Sequence, residues 1–84
     1  MAHSAKYLPS AKKELNALSG DVQKRIITAV RKLKNNPRPF GCKKLKGWDA
    51  YRIRVGDYRV VYEIHDDVLV VLVVRIAHRR DVYQ

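Results

Sequence analysis

Guanidiniums set at alternating positions of an apolar run are the side chains of this sequence best suited to chemistry. In Tyr51-Arg52-Ile53-Arg54-Val55 two of them alternate with core-forming residues, and Arg59 follows a Gly56-Asp57 pair. A guanidinium is a planar fork that grips phosphate bidentately, whereas a lysine ammonium is a hydrated point charge. All nine lysines fall at or before Lys46, and from Tyr51 onward the only Lys or Arg residues are six arginines. Arginines gathered on one face read as an anion site, and the anion they fit is nucleic acid. The same residues also fit a plain solvated face on which Glu63 partly neutralises them.

Positioning these arginines requires a hairpin. Tyr51–Val55, Tyr58–Ile64 and Val68–Ile76 alternate with period two or run apolar, which predicts three strands joined at Gly56-Asp57 and near Asp66-Asp67. A two-residue turn fixes register. Val55 then faces Tyr58, Arg54 faces Arg59, Ile53 faces Val60, Arg52 faces Val61 and Tyr51 faces Tyr62. Tyr51, Ile53, Val55, Tyr58, Val60 and Tyr62 share a core face, and Arg52, Arg54, Arg59 and Glu63 share the other. Arg54 opposite Arg59 is a repulsive pair, easier to keep if an anion binds there. Val68–Ile76 is apolar on both faces and reads as a central strand, delivering Arg75, His78, Arg79 and Arg80 to converge at the sheet's end.

Upstream, His3–Leu8 predicts a short strand. Pro9-Ser10 opens a helix with Ser10 as N-cap, and Ser19-Gly20 breaks it. Asp21 begins a second helix in which Val22, Ile26, Val30 and Leu33 form one apolar stripe. Asn35-Asn36-Pro37-Arg38-Pro39 ends that helix. Phe40–Asp49 reads as a basic loop carrying Lys43, Lys44, Lys46 and Trp48. The fold class is therefore α+β: a strand, a two-helix hairpin, a three-stranded antiparallel meander and a short C-terminal tail, in one domain over residues 1–84.

Bulk composition bounds the partners. The net charge is +10 over 84 residues, so a positive field covers the surface. Residues 1–50 hold twelve basic and three acidic side chains, net +9, and residues 51–84 hold six and five, net +1. Nucleic acid, an acidic protein and an anionic membrane would each answer that charge. The membrane ranks last, because the apolar stripe of the Asp21–Asn35 segment is used as core. The start lacks a signal-peptide core, and a single cysteine, Cys42, excludes an internal disulfide. A cytoplasmic location is expected.

Other chemistry has less support. His3, His65, His78 and Cys42 lack metal-ligand spacing, so no metal or cofactor is expected. Glu14 and Glu63 fall on different elements, which argues against a paired-carboxylate site. Trp48 either anchors its loop over the core or stacks on a base.

The run Tyr51 to Tyr62, together with Lys44-Leu45-Lys46-Gly47 before it and the ending Ala77-His78-Arg79-Arg80-Asp81-Val82-Tyr83, closely resembles the RelE/ParE toxin superfamily. The resemblance implies a β-α-α-β-β-β toxin neutralised by a small antitoxin. RelE-like members cleave messenger RNA in the ribosomal A site, and ParE-like members poison DNA gyrase. RelE-like toxins use basic residues on the strand before the hairpin turn, an arginine after it, and an arginine and a tyrosine near the C-terminus. These map to Arg52 and Arg54, Arg59, Arg79 and Tyr83, which favours a metal-independent endoribonuclease, with messenger RNA and ribosomal RNA as partners. Lys43, Lys44 and Lys46 are expected to bind RNA.

On this resemblance, Arg59 and Arg79 stabilise the developing phosphorane charge. Tyr83 stacks on a base, helps move a proton, or pins the tail to the sheet. Some relatives carry lysine at the two strand positions, and lysine can lose a proton near neutrality. Arg52 and Arg54 do not, so their expected role is phosphate clamping. His78 is the candidate general base, because imidazole is the side chain that changes charge near neutral pH, its alternative being a surface histidine.

Overall fold

The computed structural model describes residues 2–78 and residue 80. In chain order the elements are β1 (Ser4–Tyr7), α1 (Pro9–Asn16), α2 (Gly20–Leu33), β2 (Lys43–Lys44), β3 (Tyr51–Val55), β4 (Tyr58–His65) and β5 (Val70–His78). The fold class is the α+β expected, and the meander is extended at both edges. The sheet order is β1-β5-β4-β3-β2, with β1 parallel to β5 and the other neighbours antiparallel.

Local chemistry explains most boundaries. Pro9, not Ser10, opens α1: Leu8 occupies the cap position, and no side chain caps the helix. Proline suits the first helical position because its fixed φ is already helical and its missing N–H has no partner there. At the other end of α1 the Gln23 amide donates to the carbonyls of Asn16 and Leu18. In α2 the expected stripe packs inward, with Ile26, Val30 and Leu33 buried and Val22 at the margin. β5 starts two residues later than expected. The turn before it runs through Leu69 at φ 54, a left-handed conformation that interrupts an extended strand.

The main core lies between the helices and one sheet face. Ala11, Leu15, Ile26, Val30 and Leu33 meet Val60, Tyr62, Val71, Val73 and Ile76. Complete burial of each Val, Ile or Leu side chain contributes roughly 1.5–3 kcal/mol. A smaller cluster on the opposite face, made by Leu45, Ala50 and Val61 against Val74 and Ala77, holds down the 45–50 loop.

β5 changes face part-way along. Val61 pairs with Arg75 but Tyr62 pairs with Val73, so Val74 is an extra residue, a β-bulge. Before it Val71 and Val73 face the helices; after it Ile76 does, while Val74 and Ala77 face away. A one-residue slip exchanges the faces of everything that follows. The Glu14 carboxylate of α1 accepts the Ile76 N–H at 2.8 Å just beyond the bulge.

Candidate nucleic-acid interface

The β3–β4 turn fixes the geometry of the site. Gly56 has φ 59, a left-handed conformation that favours glycine, and the Arg25 guanidinium lies 3.3 Å from where a Cβ would stand. The strand register is the expected one at all five pairs, including Arg54 opposite Arg59. Arg52, Arg54 and Arg59 therefore share the face turned away from the helices. Arg54 is exposed; Arg52 and Arg59 are half-buried.

β2 brings a further cation to this face. The Phe40–Asp49 segment was expected to be a loop, yet Lys43 and Lys44 add a short edge strand in which Lys43 pairs with Arg52. A cleft of about 300 Å³ results, lined by Gly41, Lys43, Arg52 and Arg54. It adjoins a second, of about 410 Å³, lined by Lys43, Lys44, Leu45, Lys46 and Arg52. Lys44 also pairs with Asp49 at 3.4 Å.

Glu63 is occupied elsewhere. Its Oε2 accepts the Trp48 indole N–H at 3.3 Å, and its Oε1 lies 2.9 Å from His65 Nε2. Trp48 thereby anchors its loop on the sheet. Among the described residues no carboxylate is ion-paired with Arg52 or Arg54. The cleft is a concentration of positive charge open to an anionic ligand.

Arg75 and His78 do not converge with the hairpin arginines. The bulge turns the end of β5 over, so His78 packs edge-on against Tyr58, ring centroids 5.4 Å apart, on the helix-facing side. Arg75 Nε lies 3.8 Å from a Glu14 carboxylate oxygen. Arg75, His78 and Arg80 line a separate cleft of about 620 Å³ with Glu14, Leu18 and Tyr58. Arg79 and Tyr83 lie outside the described residues. Among the described residues no group of three or more His, Cys, Asp or Glu side chains gathers where it could hold a metal ion.

A network with no local signature in the sequence ties down the segment leading into the cleft. Arg38 donates to Asp66 at 3.0 Å and to the Tyr51 hydroxyl at 3.4 Å, and lies over the Tyr51 ring. His3 Nε2 meets the other Asp66 oxygen at 3.0 Å. Hydrogen bonds from His3 and then Arg38 hold the Asp66 carboxyl below its usual range. The Tyr62 hydroxyl donates to the Pro37 carbonyl at 2.7 Å. Burial, followed by the influence of Cys42, pushes that phenol up. In sequence, Pro37-Arg38-Pro39 reads as a helix stop, and no local pattern marks its partners.

The family model described as the ParE toxin of type II toxin–antitoxin systems, parDE, matches residues 5–83. Toxin RelE3 of Methanocaldococcus jannaschii is 34% identical over 76 residues, which cover 84% of each chain. The chain belongs to the RelE/ParE toxin superfamily. Solved relatives show the same toxin fold. The archaeal RelE–RelB complex from Pyrococcus horikoshii aligns with TM-score 0.84 at 28% identity, covering 98% of this chain and 100% of that one. The intact RelBE toxin–antitoxin complex of Escherichia coli aligns with TM-score 0.82 at 28% identity, covering 92% and 96%. In this RelE/ParE toxin the cleft's ionisable groups are two arginines and one lysine, Lys43.

Proposed function

We propose that this toxin is a metal-independent endoribonuclease that cleaves messenger RNA in the ribosomal A site and so inhibits translation in the cytoplasm. The observation that carries the reading is the cleft in which Lys43, Arg52 and Arg54 stand together beside Arg59. Its charge and planar donors suit a phosphodiester backbone. The lysines of the first fifty residues add long-range attraction to ribosomal RNA.

In the proposed reaction the 2′-oxygen attacks phosphorus, the bond to the 5′-oxygen breaks, and the products are a 2′,3′-cyclic phosphate and a 5′-hydroxyl. Arg52 and Arg54 clamp the phosphate. Arg59 and Arg79 offset the charge that builds on its equatorial oxygens, and Tyr83 orients the leaving side. Arginine stays protonated, so the 2′-proton passes to another group. His78 is directed at Tyr58 rather than the cleft. Lys43 is the one cation of the cleft that is not an arginine, and in this reading its amine takes the 2′-proton and returns it to the departing 5′-oxygen.

The neutralising partner in this reading is a small antitoxin. Support comes from the solved relatives crystallised as complexes with RelB, and a net charge of +10 suits an acidic partner. A second reading, gyrase poisoning through protein contact, draws on the ParE description of the matching family model.

One experiment separates them. The purified protein is added to a reconstituted translation reaction and message 5′ ends are mapped. Cuts within codons on the ribosome are expected, and Arg59→Ala should slow them on the order of 10²–10³-fold, as for loss of one charge-stabilising donor. An intact message with blocked gyrase supercoiling would establish the second reading instead. With Lys43→Arg the charge survives but proton exchange does not, so the pH–rate profile should lose a limb; His78→Gln should leave it unchanged.

A further inference from the structure

We propose that Phe40 is a stacking platform for a base of the RNA strand whose phosphate occupies the Lys43, Arg52 and Arg54 cleft. The proposal rests on the endoribonuclease reading and adds a contact to the same site. Phe40 is the chain's single phenylalanine, and it is fully exposed. One exposed apolar side chain is unremarkable by itself, and its setting is what points to a ligand.

The ring sits at the tip of a braced turn. The Cys42 N–H donates to the Pro39 carbonyl at 3.0 Å, closing a four-residue turn. Gly41, its third residue, has φ 93, the sign that a type II turn requires there. Behind the turn, Tyr62 holds the Pro37 carbonyl and Arg38 holds Asp66. Prolines on either side of Arg38 restrict the backbone further. A ring presented on a braced turn loses little backbone entropy when a ligand meets it.

The turn is also continuous with the cleft. Gly41, next to Phe40, lines the cleft together with Lys43. A Cβ at Gly41 would meet nothing within 4 Å, so the cleft is open where Gly41 lines it, and the Phe40 ring beside it is itself fully exposed. A flat aromatic surface joined to a row of cations is the arrangement that single-stranded nucleic acid binds, bases on the ring and backbone on the charges. An acidic peptide would satisfy the cations alone and has no need of the ring. Stacking tolerates every base, because each has a π-face. Phe40 is therefore a grip that raises affinity with little sequence preference.

The test uses the full chain and ribosomes programmed with a message carrying 2′-O-methyl groups at the A-site codon, which blocks cleavage. Binding is measured for wild type, Phe40→Ala and Phe40→Trp, on base-bearing messages and on messages with one abasic position moved along the codon. Phe40→Ala is expected to weaken binding about 5- to 150-fold, the range of one base–aromatic stack. At one abasic position the wild type should lose the same factor and Phe40→Ala should lose no more. Phe40→Trp should restore binding, and the salt slope should not change, because no charge is altered. Thermal melting of Phe40→Ala should match wild type, since the ring covers no core. Tight wild-type binding that Phe40→Ala leaves intact, or weakens equally at every abasic position, overturns the stack and spares the endoribonuclease reading. Failure of wild type to bind programmed ribosomes overturns both. Unchanged ribosome binding with weaker neutralisation by the antitoxin assigns Phe40 to a protein contact and also overturns the stack.

Discussion

Replacing Arg54 by Gln should stabilise the free protein while weakening its grip on RNA. Arg54 stands directly opposite Arg59 in the β3–β4 ladder, where facing Cβ atoms are about 4.5–5.5 Å apart. Two unit charges about 6 Å apart in water repel by ~0.7 kcal/mol. Glutamine keeps much of the aliphatic stem and removes the charge, so little packing is lost. For a domain of this size ~0.7 kcal/mol corresponds to a rise in Tm of about 3–6 °C. The gain should appear in thermal melts at low ionic strength and vanish near 1 M salt, where the screening length falls to about 3 Å. In the same variant, ribosome affinity should fall and the slope of log affinity against log salt should shrink by about 0.7–0.9, one phosphate contact. A lower Tm at low salt, a gain that persists at 1 M salt, or an unchanged slope would each refute the view of Arg54 as a strained, ligand-directed cation.

Two further outcomes follow from the hydrogen-bonded supports. Glu14→Ala leaves the Ile76 N–H beyond the β5 bulge without its acceptor and should cost about 1–3 kcal/mol in denaturant titrations, with Glu14→Gln recovering most of it. Hydrogen bonds from His3 and then Arg38 hold the Asp66 carboxyl below its ordinary value of 3.8. Its contribution is therefore present above that value and is lost as pH falls below it. Melting curves from about pH 4 down to about pH 2 should fall less steeply for Asp66→Asn than for wild type.

Strand pairing across Gly56-Asp57 was legible in the sequence because a two-residue turn sets register and alternation sets faces, both over a few residues. The same local logic found the apolar stripe of α2 and the interior place of β5, between β1 and β4. The arginine face was legible for that reason, and so was Arg54 opposite Arg59. The end of β5 was not. Whether His78 joins the arginines depends on the one-residue bulge at Val74, which is held by a carboxylate from α1 sixty-two residues away from Ile76 in sequence. Without that bulge His78 would fall on the arginine face; with it, the ring meets Tyr58.

Lys43 and Glu63 make the same point. The sequence placed Lys43 in a basic loop and offered Glu63 as a counter-charge to the arginines. Only the folded chain pairs Lys43 with Arg52 as an edge strand and gives Glu63 to Trp48 and His65. The sequence by itself determined which residues are phosphate-binding in type and which strand face carries them, because those follow from residue chemistry and a period of two. Tertiary structure decided which cations share a cleft, which carboxylate is withheld from them and which way His78 turns. Those outcomes rest on contacts between distant segments, and such contacts leave no mark on local pattern.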